Sequence, residues 1–368
     1  MTKESRSFDE SLVAASAEGA LQAIEQAGSD AEALVQAWIA HPNAAAIQEV
    51  AEHGSGKPRK AARRALNVLR SRGVAIPQPL RRRGVTNDAP KEQAWLLAPD
   101  ASGIRLLAVA RAGRSGGLRA CLVYLHDAQG VFRVETKQTT SSKLKQALLD
   151  ALPSAGYQPV AVPVEWVRHK IAAARKLHAA RGVPEPMGFM ASRDLIDPKD
   201  QAQPPHPFDS EGFAFSQDDA REVAKDSGAL HHQPEFRAWL PSQSALQDLL
   251  AHVGQRMDPQ QPPEQEVVSE LLKEEMLAAT DRYFTPEARA DLVLRMKDAG
   301  LSLLAREGEA LGLKLAATIQ TIEHCGLATD PPREVPFLRA FFEKGVSLLL
   351  AQSGGKLNIP LPRTSLRQ

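Results

Sequence analysis

Hydrophobic and polar positions change rhythm twice along these 368 residues. Up to Arg72 the apolar positions recur at helical spacing, over 11–27, 31–41, 44–52 and 58–72. In the second of these, Ala33, Leu34, Ala37, Trp38 and Ile39 supply the stripe. His41-Pro42-Asn43 and Gly54-Ser55-Gly56 interrupt the runs, and Gly73 stops the last one. From Ala94 the rhythm becomes that of strands: Ala94 to Leu97, Ile104 to Arg111, Leu118 to His126 and Val131 to Thr136. The turns between them start at Asp100, Gly113 and Asp127, and three short connections in succession predict antiparallel hairpins. Helices follow from Ser141 or Ser142 to Leu152 and from Val164 to Arg181. Residues 183–216 are rich in proline and read as an irregular crossing. Helical periodicity then returns over 217–226, 234–239, 242–256, 264–283, 286–307, 309–324 and 335–351.

These elements predict an α+β protein that is mostly α. Residues 1–76 form a helical region and 77–90 a Pro/Arg-rich connector. Residues 91–216 hold a four-stranded antiparallel sheet with helices on one face, then the crossing. Residues 217–368 form an all-α domain. A chain of this length divides into more than one domain. The two cysteines, Cys121 and Cys325, lie far apart without metal spacing or a disulfide framework. The polar N-terminus gives no signal peptide, and no apolar run reaches the ~18 residues of a membrane span. A soluble cytoplasmic protein is expected.

Charge changes this picture. The whole chain is nearly neutral, at +1, yet His53 to Asn87 carries ten Lys or Arg and no Asp or Glu. Residues 1–52 hold two basic and nine acidic side chains, 53–181 hold 24 and seven, and 182–368 hold 19 and 28. A basic middle stands between two acidic ends, and such a field implies a partner of opposite sign. On a helical wheel, Ala61, Ala62, Ala65, Leu66, Val68 and Leu69 fall opposite Arg59, Lys60, Arg63, Arg64 and Arg70. One side is for packing and the other for an anionic partner or for water. Pro77 and Pro79 extend the connector that carries Arg81, Arg82 and Arg83. The helix over 164–181 adds Arg168, Lys170, Arg175 and Lys176, with Trp166, Val167, Ile171, Ala174 and Leu177 as its packing side.

The segments 44–53 and 58–72, a short helix, a tight turn and a second helix opening with basic and small residues, resemble a HEAT-type repeat. Ala46, Ile47, Val50 and Ala51 carry the resemblance, then Arg59, Ala62, Ala65, Leu66 and Leu69. It covers roughly 30 residues and implies a helical scaffold used for binding, with no activity.

Other motifs read as structure. Gly54-Ser55-Gly56-Lys57 lacks the phosphate-loop Gly at Ala51 and the Ser or Thr at Pro58. Gly113 to Gly117 is a hairpin loop with Arg114 at its tip. The neighbours His231-His232 and His324-Cys325 do not face one another on a helix. The aspartates between Asp194 and Asp219 lack the register of a calcium loop. No catalytic, cofactor or metal residue is therefore expected.

The expectation is a non-enzymatic protein that binds a polyanion, foremost RNA or a ribonucleoprotein. Its predicted contacts are Lys57, Arg59, Lys60, Arg63, Arg64, Arg70, Arg81, Arg82, Arg83, Arg168, Lys170, Arg175 and Lys176. Aromatics are scarce among these cations, which favours structured backbone over stacked single strands. Two alternatives stay open: a protein–protein adaptor or scaffold that meets an acidic partner, and an enzyme whose site is assembled from distant residues. The acidic C-terminal domain could also neutralise the basic tract, and the oligomeric state is not readable.

Overall fold

A computed structural model of the chain describes residues 8–76, 92–113, 117–151, 158–209, 213–258, 264–326 and 329–361. Arg81, Arg82, Arg83 and Arg114 lie outside the described residues. The first part is helical: α1 (Glu10–Val13), α2 (Ala20–Ala27), α3 (Ala31–Ala40), α4 (Ala44–His53) and α5 (Gly56–Ser71). Asn43 ties three of its segments together. Its side-chain oxygen caps α4 by accepting from Ala46 N at 3.2 Å, while its amide donates to Val13 and Ala15 carbonyls. The core of this part is its own, with Leu34, Trp38, Ile47, Val50 and Leu69 sealed from solvent. Each such side chain contributes about 1.5–3 kcal/mol relative to leaving it exposed.

The middle is a five-stranded antiparallel sheet of order β4-β3-β2-β1-β5, from β1 (Glu92–Leu97), β2 (Ile104–Ala112), β3 (Leu118–His126), β4 (Gly130–Thr139) and β5 (Val160–Val162). The fifth strand, three residues long, goes beyond the four expected. Helices cover both faces rather than one. On one face α6 (Ser141–Ala151) lays Leu144 and Leu148 over Leu106, Ala108 and Leu122. On the other, α7 (Val164–Ala180) and α8 (Phe189–Ile196) cover Leu107, Val109, Cys121 and Val123. The segment expected to be an irregular crossing therefore contains a helix, α8, docked on the sheet.

The C-terminal elements are α9 (Gln217–Val223), α10 (Pro234–Arg237), α11 (Gln243–Gln255), α12 (Gln265–Tyr283), α13 (Pro286–Glu307), α14 (Glu309–His324) and α15 (Pro336–Gln352). One hydrophobic cluster runs from the α7 side of the sheet through α8 into these helices. The N-terminal part meets them along α5, which lies against α9 and α14. There the Asn67 amide donates to the Ala214 carbonyl at 3.4 Å, and Arg70 pairs with Glu309 at 2.9 Å. Among the described residues no helix is long and apolar enough to cross a membrane.

Candidate polyanion interface

The α5 helix starts at Gly56, whose φ of 64° lets the chain turn sharply out of α4. Its first turn contains no acid, and Lys57, Arg59 and Lys60 stand where the helix dipole disfavours cations. Ala62, Ala65, Leu66, Val68 and Leu69 are buried as the wheel predicts, and Asn67 joins them where α5 meets residue 214. Lys57, Lys60 and Arg64 are exposed and make no ion pair among the described residues. Their spacing puts them in one stripe that spans about 10 Å along the axis. The other cations of α5 are engaged. Arg59 Nε donates to the Ala51 carbonyl at 3.3 Å near the end of α4, Arg63 is half-buried with a partner, and Arg70 holds Glu309.

On α7 the predicted cations divide differently. Arg168 is 2% exposed and donates to the Leu195 carbonyl at 2.9 Å, to Glu92 at 2.9 Å and to Glu165 at 3.2 Å. Lys170 reaches both carboxylate oxygens of Asp298 at 2.6 Å. Arg175 pairs with Glu185 and with Asp197, the latter at 3.0 Å, and its guanidinium lies 4.0 Å from the Phe189 ring centroid. Only Lys176 is exposed without an ion pair among the described residues. Arg168, Lys170 and Arg175 therefore belong to internal networks, not to an exposed basic face. A phosphate could take them only by stripping a charge already paired inside the protein.

Two of these networks organise the fold. The Glu92 carboxylate accepts from Arg111, Arg168 and Lys199 at 2.7–2.9 Å. Burial alone would raise its pKa, but these hydrogen bonds outweigh that and hold it at about 2. The second network is a chain: Arg295 to Asp127, Asp127 to Arg105, Arg105 to Asp298, and Asp298 to Lys170 and His206. It joins α13 to β2, to the β3–β4 turn and to α7. Asp298 has no exposure. Burial, with Arg295 nearby, lowers Arg105 to about 10, and burial with Arg105 pushes Lys170 well below its ordinary value.

His206 Nδ1 accepts from the Phe208 amide at 3.1 Å while Nε2 faces Asp298 Oδ1, also at 3.1 Å. That pattern fixes the neutral ring, in agreement with a pKa held at about 3 by burial and the surrounding cations. The outer end of the chain, Asp127 and Arg295, borders a cleft of about 540 Å³ that Trp239, Tyr283, Phe284 and Phe341 also line. Lys170, Asp298 and His206 have protein partners that use their polar atoms, so this cluster reads as a latch. Sequence reasoning did not find it, because its members are scattered and none stands in a motif.

Comparison with protein-family models, with curated proteins and with solved structures returned no match.

Proposed function

We propose that this protein is a non-enzymatic, cytoplasmic binding protein that holds a polyanion, RNA or a ribonucleoprotein, on the exposed side of α5. The observation that carries the reading is the stripe of Lys57, Lys60 and Arg64, exposed and unpaired among the described residues. Cations in the opening turns of a helix oppose its dipole by about 0.3–1 kcal/mol each. A bound anion would turn that penalty into a favourable contact. Lys57, Lys60 and Arg64 make no ion pair with the acidic C-terminal helices among the described residues, whereas Arg70 pairs with Glu309 there. The same acid-free tract of sequence continues to Arg81, Arg82 and Arg83. The stacked hairpin of α4 and α5 supplies a rigid support, as a HEAT-like scaffold does.

The test is binding to a structured RNA duplex, measured by fluorescence anisotropy across a salt series. Tight binding at ~50 mM salt that weakens steeply as salt rises supports the reading. Lys57→Glu, Lys60→Glu and Arg64→Glu together should abolish it while circular dichroism stays unchanged and melting does not fall, since acids replace cations at the helix start. No binding at low salt, or binding that survives the triple reversal, would sink the proposal.

A further inference from the structure

On the sheet, beside β4, the surface is apolar where the fold gives no reason for it. A groove of about 530 Å³ opens beside the start of β4, lined by Val131, Phe132, Arg181, Val183, Pro184 and Pro186. Phe132 is 42% exposed and Val183 49%. Met187, next in the chain after Pro186, is 94% exposed, and Met190 in the first turn of α8 is 67% exposed. Phe132 and Val183 line the groove and Met187 follows its lining residue Pro186, so three large exposed apolar side chains belong to this region, which single scattered hydrophobes do not do.

The groove is built, not incidental. His178 at its base is 2.7 Å from the Pro184 carbonyl through Nε2 and 3.4 Å from the Gln129 carbonyl through Nδ1. This fixes the 182–188 loop alongside the β3–β4 turn. The adjoining β4 is an edge strand, paired with β3 alone among the described residues and bulged at Phe132, which falls between the Val131–Leu125 and Arg133–Tyr124 partners. The rim is positive: Lys176 and Arg181 are exposed and make no ion pair among the described residues, whereas Glu185 is held by Arg175.

We propose that the β4 edge and this groove bind an extended segment of a partner protein in which apolar residues alternate with acidic ones. Strand addition supplies main-chain hydrogen bonds, and side chains on one side of the added strand enter the groove at alternate positions. The acidic residues between them meet Lys176 and Arg181. The concavity and the unpaired edge favour a peptide over a lipid surface, which wants a convex apolar face. The exposed apolar side chains disfavour a bare polyanion. This inference does not depend on α5.

A phage-displayed library of short random peptides, selected on the full-length protein and counter-selected on Phe132→Glu/Met187→Glu, tests it. Peptides alternating apolar and acidic residues should be enriched. Measured by anisotropy, they should lose affinity at least about tenfold, ~1.4 kcal/mol, against the counter-selection variant. Proline at their alternate positions should abolish binding. Lys176→Glu/Arg181→Glu should weaken them at low salt, and Lys57→Glu/Lys60→Glu/Arg64→Glu should leave them unaffected. Both target positions are exposed, so melting should not move; if Phe132→Glu/Met187→Glu fails to fold, Lys176→Glu/Arg181→Glu becomes the counter-selection target. Failure to enrich peptides on the native surface over the variant overturns the proposal. So does equal binding of the proline peptides. Phosphatidylserine vesicles that sediment the native protein but not the variant would assign the surface to membranes instead. A native dimer that Phe132→Glu dissociates would assign it to a second copy.

Discussion

Lys170 on α7 and Asp298 on α13 form an ion pair in which the ammonium lies 2.6 Å from both carboxylate oxygens, and Asp298 exposes nothing to solvent. The pair, with Arg105, crosses from the sheet to the C-terminal helices. Removing the carboxylate leaves, among the described residues, the half-buried Lys170 without an ion pair and the buried Arg105 with Asp127 alone. Asp298→Ala should therefore lose about 3–5 kcal/mol in urea unfolding. Lys170→Met should lose less, because Arg105 and His206 still satisfy Asp298 and the aliphatic stem is kept. A fall of less than ~1 kcal/mol for Asp298→Ala would show that this cluster does not latch the two parts together.

The α5 stripe makes a quantitative prediction about salt. If Lys57, Lys60 and Arg64 each neutralise one phosphate, the slope of log K against log salt should approach about −2.7, or ~0.9 per contact. Single Ala substitutions should each reduce the slope by about 1 and weaken binding evenly across RNA sequences. Arg168→Ala should behave differently. It should lower the melting temperature by breaking the Glu92 network. The measurement is the slope beside the melting curve, and the two groups should separate cleanly.

What was legible in the sequence depended on how far each partner lies along the chain. The two sides of α5 can be read from its own residues, and Ala62, Ala65 and Leu69 are buried as the wheel requires. The internal pairing of Arg168 and Lys170 cannot be read that way. Their partners Glu92 and Asp298 stand 76 and 128 positions away, so a cation on the polar side of a wheel looked free. The sheet was legible as an antiparallel layer but not as one covered on both faces. Leu106 and Leu107 are both fully buried because α6 and α7 cover opposite faces, and this removes the alternation that marks a one-sided sheet. β5 has three residues and α8 has eight, too few to show a period among the surrounding prolines and glycine. The groove beside β4 was invisible because Phe132, Val183 and Met187 are unremarkable singly and become a patch only when the β3–β4 turn meets the 182–188 loop.

Acid should unfold the protein through two histidines held neutral. His231 Nδ1 accepts from Lys344 at 3.0 Å, and Nε2 donates to the Phe337 carbonyl at 2.9 Å. Burial and Lys344 set its pKa at about 4, and burial with Lys170, Lys297 and Arg105 sets that of His206 at about 3. Both lie below the unfolded value of 6.5. Between those limits the unfolded chain binds more protons, so stability rises with pH there. It is undiminished by these groups above pH ~6.5 and falls below it, by at most about 1.4 kcal/mol per pH unit for each ring. His206→Gln keeps both hydrogen-bonding roles without titrating and should flatten the pH dependence of the urea midpoint between pH ~6.5 and ~4. An unchanged slope would contradict the neutral assignment.

Gly130 separates backbone strain from collision at the turn that shapes the groove. Its φ is 83°, and a Cβ placed on it would sit 2.5 Å from the Ala174 carbonyl oxygen and 3.2 Å from His178 Cβ. The obstacle is the α7 backbone, which cannot swing aside as a flexible side-chain end would. Gly73, at φ 76° after α5, has nothing within 4 Å of its Cβ position. Gly73→Ala should therefore show strain alone, about 1 kcal/mol. Gly130→Ala adds the clash and should lose about 2–4 kcal/mol, or push α7 away from the β3–β4 turn. In the second case the His178 contacts that set the 182–188 loop would part. Hydrogen exchange at residues 182–188 should then rise in Gly130→Ala and stay unchanged in Gly73→Ala. Equal destabilisation by the two substitutions would mean that α7 does not press on the turn as the 2.5 Å approach requires.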